Sequence, residues 1–296
     1  EVSMNLIDYS SSGVQFKYQA VVIDRVHPLS GPIMGNTTVV LTGLGFAAPC
    51  VNCYINKDLW CAFGHAPRVP AYYDSANQIS CVSPSYRLPG VVSIAIINTD
   101  AVYLNKVAFR YELSTSAQSL TPLIGPTRGG TKVTVDGSNF NMQASTFCRF
   151  GDLPVAVNFV FSNTETRIEC ISPTMPAGFS PLLLTSNDQN YFDDGLTFEH
   201  VKWPIITALT PTQGPSLGGT HTIISGGEFS ERASQLSYLF CRFNTTAVRA
   251  TYISVLEIAC VSPELGLESG SGMVTVEVTM NLQQYTNDFM RFEYTL

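Results

Sequence analysis

The chain has 296 residues, 45% of them apolar and 13% charged, with a formal net charge of −7. That is enough apolar side chain for a core in each of several domains, which excludes a disordered chain. The acidic balance, with sixteen Lys and Arg scattered singly, excludes a nucleic-acid partner held through its phosphates, and no apolar run is long enough for direct membrane insertion of this segment.

In chain order, residues 1–19 come first and open with EVSMNLIDYSSSGVQFKY, which aligns with VEVTMNLQQYTNDFMRFEY at Val276 to Tyr294. They are expected to be the C-terminal strands of a preceding, truncated module, so the chain reads as an excerpt of a longer array. Three full modules follow, at 20–113, 114–201 and 202–296. Each contains one recurring stretch: PLSGPIMGNTTVVLTGLGF from Pro28 to Phe46, PLIGPTRGGTKVTVDGSNF from Pro122 to Phe140, and PTQGPSLGGTHTIISGGEF from Pro211 to Phe229. The copies align without insertion, so function has to be argued from one module and from how modules join. Each copy continues with a Cys-x-Phe block (Cys61, Cys148, Cys241), a Cys-x-Ser-Pro block (Cys81, Cys170, Cys260) and an alternating apolar run. Each closes on an aromatic pattern, Phe109-Arg110-Tyr111, Phe198-Glu199-His200 or Phe292-Glu293-Tyr294, from which only His200 departs.

Runs such as Thr131 to Val135 and Val274 to Val278 alternate with period two, and no long segment carries apolar residues at helical spacing. Short strands separated by turn signals, in units of roughly 90 residues, predict all-β modules, each a seven-stranded immunoglobulin-like β-sandwich. Gly125-Pro126 and Gly214-Pro215 read as a turn into the second strand, Gly129-Gly130 and Gly218-Gly219 as positions of positive φ, and Phe46, Phe140 and Phe229 as core plugs. From the closing aromatic position to the next repeat proline there are ten residues (Tyr18 to Pro28) and twice eleven (Tyr111 to Pro122, His200 to Pro211). Joints this short leave little linker and predict an elongated, semi-rigid array, with Trp203-Pro204 packing against both neighbours and the more polar Leu113 to Ser119 as the place for any bend.

The eight cysteines form three module pairs, Cys61 with Cys81, Cys148 with Cys170 and Cys241 with Cys260, plus Cys50 and Cys53. An even number at recurring spacing reads as a disulfide framework, which belongs to an oxidising compartment. Cys50 to Cys53 reads as a fourth, local bridge bracing a longer loop, since fourteen residues separate Phe46 from Cys61 against seven between Phe140 and Cys148. Half of a zinc site is the alternative there, but His65 is the sole nearby further ligand, and a redox Cys-x-x-Cys would need a βαβ context. Asn36-Thr37-Thr38 and Asn244-Thr245-Thr246 are N-glycosylation sequons beside turns. Asn36 also stands where the other copies have Gly130 and Gly219, and Asn tolerates a left-handed backbone, so a backbone role explains it without a sugar.

The order Pro-x-x-Gly-Pro-x-x-Gly-Gly-Thr, strand, Gly-x-x-Phe, Cys-x-Phe-Gly, Cys-x-Ser-Pro closely resembles the IPT/TIG (immunoglobulin-like, plexin, transcription factor) domain, across all three modules and the leading fragment. The resemblance implies an immunoglobulin-like sandwich. Its known hosts are plexins and Met-type receptors, fibrocystin-like proteins with long arrays, Rel-type transcription factors and some starch-acting enzymes. It is specific for fold and leaves function open. Cysteine pairs only 20, 22 and 19 residues apart set these modules aside from antibody domains.

No catalytic constellation is legible. The histidines His27, His65, His200 and His221 are dispersed, and Asp193-Asp194-Gly195 reads as an acidic β-turn in preference to a calcium site. The Gly-Gly pairs lead into strands, whereas a phosphate loop leads into a helix. Catalytic, cofactor and metal residues are therefore not expected. The segment is expected to be a non-catalytic structural or adhesive part of a larger extracellular or cell-surface multi-IPT protein or filament, organised like the fibrocystin-like arrays. Its expected partners are other proteins or further copies of itself. The alternative is the stalk of a plexin- or Met-like receptor ectodomain.

Overall fold

The computed structural model describes residues 3–4, 7–9, 11, 22–46, 55–98, 101–102, 107–140, 147–159, 166–265 and 272–296. The chain divides into two compact units, Glu1–Leu113 and Ser114–Leu296. Cys50 and Cys53 lie outside the described residues, as does most of the segment 1–19. The part of that segment that is described carries an isolated antiparallel bridge, Ser3 to Tyr9, at the spacing of the Thr279 to Tyr285 bridge in the last module.

In the first unit the strands follow the order Val22–His27, Thr38–Leu44, Gln78–Val82, Val69–Ser75, Ile55–Phe63, Gly90–Asn98, Val107–Glu112, Ser30–Pro32. In the second module the same path is Ser116–Thr121, Lys132–Ser138, Arg167–Ile171, Leu153–Phe159, Phe147–Phe150, Gly178–Thr185, Phe192–Val201, Ile124–Pro126. Two layers of one ladder face each other, and alternate residues fill the space between: Val133, Val135, Cys148, Phe150, Ile168, Cys170, Leu182, Leu184 and Phe198 in the second module. This is the period-two pattern of the sequence turned into an inside and an outside. Phe46, Phe140 and Phe229 are buried in their respective cores.

The third module departs in two places. Its ladder opens into two sheets because the strand that bridges them elsewhere is split into Thr246–Arg249 and Thr251–Ser254 at buried Ala250. The connection after Phe229 winds into one short helix, Glu231–Gln235, capped by Ser230, whose Oγ accepts from the Ala233 N–H at 3.2 Å. Five residues are too few to register as helical spacing.

The expected turns into the second strand are present, with the Gly129 and Gly218 N–H groups donating to the Pro126 and Pro215 carbonyls at 2.9 Å, but Gly125-Pro126 and Gly214-Pro215 themselves end short strands, Ile124–Pro126 and Gln213–Pro215, that run parallel to the closing strands Phe192–Val201 and Met290–Thr295. Each sandwich thus gains a strand beyond the seven expected. Gly125 is required because a Cβ there would lie 2.8 Å from Cζ of Phe198, and Pro126 sits at the end of an edge strand, where the ladder loses little from its missing N–H. The prolines that precede these strands, Pro28, Pro122 and Pro211, are all in cis linkage.

Candidate functional site

Within the second unit, modules 2 and 3 meet at a joint built from recurring parts. The hairpin loop after Gly272–Thr279 is shaped by its own side chains. Thr279 Oγ1 accepts from the Leu282 N–H at 3.0 Å, and Asn281 Oδ1 accepts from the N–H groups of Gln283 and Gln284, both at 3.0 Å. With its oxygen so occupied, buried Asn281 can only turn its amide nitrogen outward, where it donates to Thr131 Oγ1 at 3.1 Å. Thr131 belongs to the Gly-Gly-Thr signature of module 2 and donates in turn to Gln284 Oε1 at 3.1 Å. Gln283 completes the clamp: its Oε1 accepts from the Lys132 N–H and its Nε2 donates to the Lys132 carbonyl, each at 2.8 Å. A primary amide thereby pairs with an exposed strand end as a neighbouring strand would.

A second set of contacts borders the clamp. Arg232, on the short helix of module 3, sits 2.8 Å from Glu199 Oε2 of module 2 and over the Phe179 ring at 5.2 Å. The Glu199 oxygen is off the hydrogen-bond axis, so the pair is ionic in character. Burial raises the Glu199 pKa, and Arg232 acts in the opposite direction. Arg128 lies 4.8 Å from the centre of the Trp203 ring, and buried Ile124 of module 2 belongs to the apolar cluster of module 3. The cleft lined by Gly125, Trp203, Pro204, Met280 and Gln284 holds about 10 Å³, no more than one water.

The other residues singled out in the sequence are dispersed. Cys61 and Cys81, Cys148 and Cys170, and Cys241 and Cys260 are disulfide-bonded across the two layers, with Cα atoms 6.4, 6.3 and 6.4 Å apart. Asn36 and Asn244 are exposed and both have positive φ, 62° and 54°. His27, His65 and His221 are exposed and His200 is buried. Ser180 Oγ lies 3.1 Å from His200 Nε2, a geometry that resembles a nucleophile and base, but both side chains are sealed in the core of module 2. Asp193 and Asp194 are not a turn but part of the strand Phe192–Val201. Asp194 accepts from the Ala117 N–H at 2.6 Å, and Asp288 repeats this in module 3 on the Ile206 N–H at 2.8 Å. Both carboxylates hold the first strand of their module. The N–H groups of Gly129 and Gly130 donate to the Pro126 and Ser172 carbonyls, so they offer nothing to a phosphate.

What sequence reasoning missed is the clamp itself. Its signal was present as Ser/Thr-x-Asn-x-x-x-Tyr, at Ser3-Asn5-Tyr9, Thr185-Asn187-Tyr191 and Thr279-Asn281-Tyr285. In module 2, Asn187 Oδ1 likewise accepts from the N–H groups of Gln189 and Asn190, and an arginine lies over the tyrosine in both loops, Arg149 over Tyr191 and Arg242 over Tyr285.

The family model described as IPT/TIG domain matches residues 21–111, 116–200 and 204–294. Among curated proteins, Plexin-A2 of Mus musculus is 25% identical over 278 residues, 92% of this chain and 14% of that protein. Plexin-A3 of Rattus norvegicus is 27% identical over 215 residues, 69% of this chain and 11% of the relative, and Plexin-2 of Caenorhabditis elegans is 26% identical over 211 residues, 70% and 11%. The chain therefore spans a small part of the curated relatives it matches. Among solved structures, the full extracellular region of Plexin A4 aligns with 95% of this chain and 25% of its own at 19% identity, with a TM-score of 0.44.

Proposed function

The chain belongs to the IPT/TIG domain family, and from that premise we propose that it is a non-catalytic, semi-rigid structural segment of an extracellular or cell-surface protein. The observation that carries this reading is the clamp of Asn281, Gln283 and Gln284 on Thr131 and Lys132. In a β-sandwich the loops at the ends of the strands are where binding sites are usually placed. Here the loop and the Gly-Gly-Thr turn opposite it are both occupied with holding a neighbouring module. The buried Ser180–His200 pair and the structural use of Asp194 and Asp288 support the non-catalytic part of the reading. The disulfide framework supports an oxidising compartment, and in that setting Asn36 and Asn244 carry glycan and the exposed surfaces take protein partners or further copies of the chain.

A second reading, the stalk of a plexin-like receptor ectodomain, is favoured by one observation: the plexin match extends over 92% of the chain. In both readings the segment sets distance and direction between other parts. The test is a distance measurement by pulsed electron resonance between labels at exposed Asp152 of module 2 and Glu257 of module 3. One narrow distribution is expected; a broad one would mean that the joint does not hold and would remove the basis for a spacer.

A further inference from the structure

The joint has two halves. Module 2 supplies an acceptor face, made of the strand Ile124–Pro126, Thr131, the Lys132 backbone and the cross-strand pair Phe179 and Glu199; module 3 supplies the hairpin loop and Arg232. By the repeat alignment, module 3 carries the acceptor set again: Gln213–Pro215, Thr220, His221 and the cross-strand pair Met273 and Glu293. The two copies differ in exposure. Ile124–Pro126 is buried throughout, whereas Gln213 and Pro215 are exposed. Thr131 is fully buried and Thr220 half-buried, while Met273 and Leu217 are 58% and 80% exposed. At Gly130 a Cβ would meet the Gln284 amide at 3.9 Å, and at Gly219 it would meet nothing.

We propose that this bare end of module 3 is an acceptor face for a further module of the same fold, one that presents a primary amide to Thr220 and His221 and a basic side chain to Glu293. The occupant is defined by complementarity. A hydroxyl beside a strand-end N–H and carbonyl matches an Asn/Gln loop, and an exposed carboxylate flanked by an apolar side chain matches an arginine, as Glu199 and Phe179 match Arg232. The faces also differ in a way that sets preference. Leu217 stands where Arg128 meets Trp203, so the incoming module gains by placing an apolar side chain there with no need for a cation–π partner.

The inference rests on the locked-joint reading above, and the experiment separates the two. A chain of residues 1–295 followed by a second copy of 202–296 uses module 3 itself as the probe, and amide hydrogen exchange is followed in the peptides Gly125 to Val133 and Gln213 to Thr222. Appending the module is expected to slow exchange at Gln213 to Thr222 by at least about ten-fold. Glu293→Arg should abolish that slowing and Glu293→Gln, the milder change, should reduce it. No slowing, or slowing that ignores both variants, overturns the proposal. So does protection already present in the native chain and lost on dilution, which would make a second copy the occupant. Free exchange at Gly125 to Val133 in the native chain would overturn both readings, whereas protection there without slowing at Gln213 to Thr222 overturns the acceptor face alone.

Discussion

Acidification should weaken module 2 through one residue, His200. At this position the sibling modules have Tyr111 and Tyr294, whose hydroxyls donate to the Pro84 and Pro263 carbonyls at 2.9 and 2.8 Å. His200 is 1% exposed, its Nδ1 has no partner, and its ring packs edge-on to Phe198 and Phe150 at centroid distances of 4.9 and 6.2 Å. Burial holds its pKa below the ordinary histidine value, so the folded module keeps the ring neutral while the unfolded chain takes up a proton near pH 6.5. The sign follows. Below that pH the unfolded state binds more protons than the folded one, so stability is complete above the unfolded pKa and falls as the pH drops through it. One proton gives a limiting slope of about 1.4 kcal/mol per pH unit, so lowering the pH from 7.5 to 5.5 should remove up to about 1.4 kcal/mol. His200→Tyr should abolish this loss and add roughly 1 kcal/mol at pH 7.5 by restoring the hydroxyl bond to the Pro173 carbonyl, with small Ser180 leaving room where the siblings have Val92 and Val274. The assay is urea unfolding followed by exchange in the peptides of Gly178–Thr185 and Phe192–Val201, for both proteins at both pH values. Glu199, whose carboxyl also titrates abnormally, is common to both and cancels in the difference. An equal stability gap at pH 5.5 and 7.5 would refute the reasoning.

Other outcomes follow from single contacts. A Cβ at Gly226 would overlap the Ile205 carbonyl and approach Phe229, whereas one at Gly227 meets nothing, so Gly226→Ala should lower the unfolding free energy of module 3 by at least about 2 kcal/mol in urea and Gly227→Ala should leave it within about 0.5 kcal/mol. Replacing Cys148 and Cys170 by alanine should cost module 2 roughly 3 kcal/mol in the same assay, and non-reducing peptide mapping of secreted material should find the pairs Cys61–Cys81, Cys148–Cys170 and Cys241–Cys260, a Cys50–Cys53 bridge, and glycan mass on Asn36 and Asn244. Gln283→Ala removes both bonds to Lys132 and should broaden the label distance distribution across the joint.

The sandwich was legible because its strands are set by local chemistry. Alternation placed Val133 and Val135 inside, and the Gly-Gly pairs marked backbone at positive φ, where a Cβ on the first glycine of each pair, Gly129 or Gly218, would strike the chain opposite. The strand Ile124–Pro126 was hidden by the same reasoning, since Gly-Pro is turn chemistry and three residues are too few to alternate. His200 was visible as an exception to an aromatic pattern, but only packing assigns it to the core and leaves Nδ1 unpaired. The recurring Ser/Thr-x-Asn-x-x-x-Tyr pattern marks the loop of the joint, but the partner that loop meets is out of reach of any local pattern. Gln283 and Lys132 are 151 residues apart, and nothing in the composition of either segment declares that one amide will lie along the other strand end.

Ile124 has one consequence for how the second unit comes apart. Its Cα lies in module 2, yet its side chain is counted among the buried apolar residues of module 3. Melting module 2 would withdraw a wall from the core next door, so the two sandwiches cannot have independent unfolding free energies. Their energetics take the nearest-neighbour form of a linear lattice, in which each unit is stabilised by whether its neighbour is folded. A pulling force or a protease that opens one module should therefore lower the barrier for the other, and the number of sandwiches overstates the number of cooperative units.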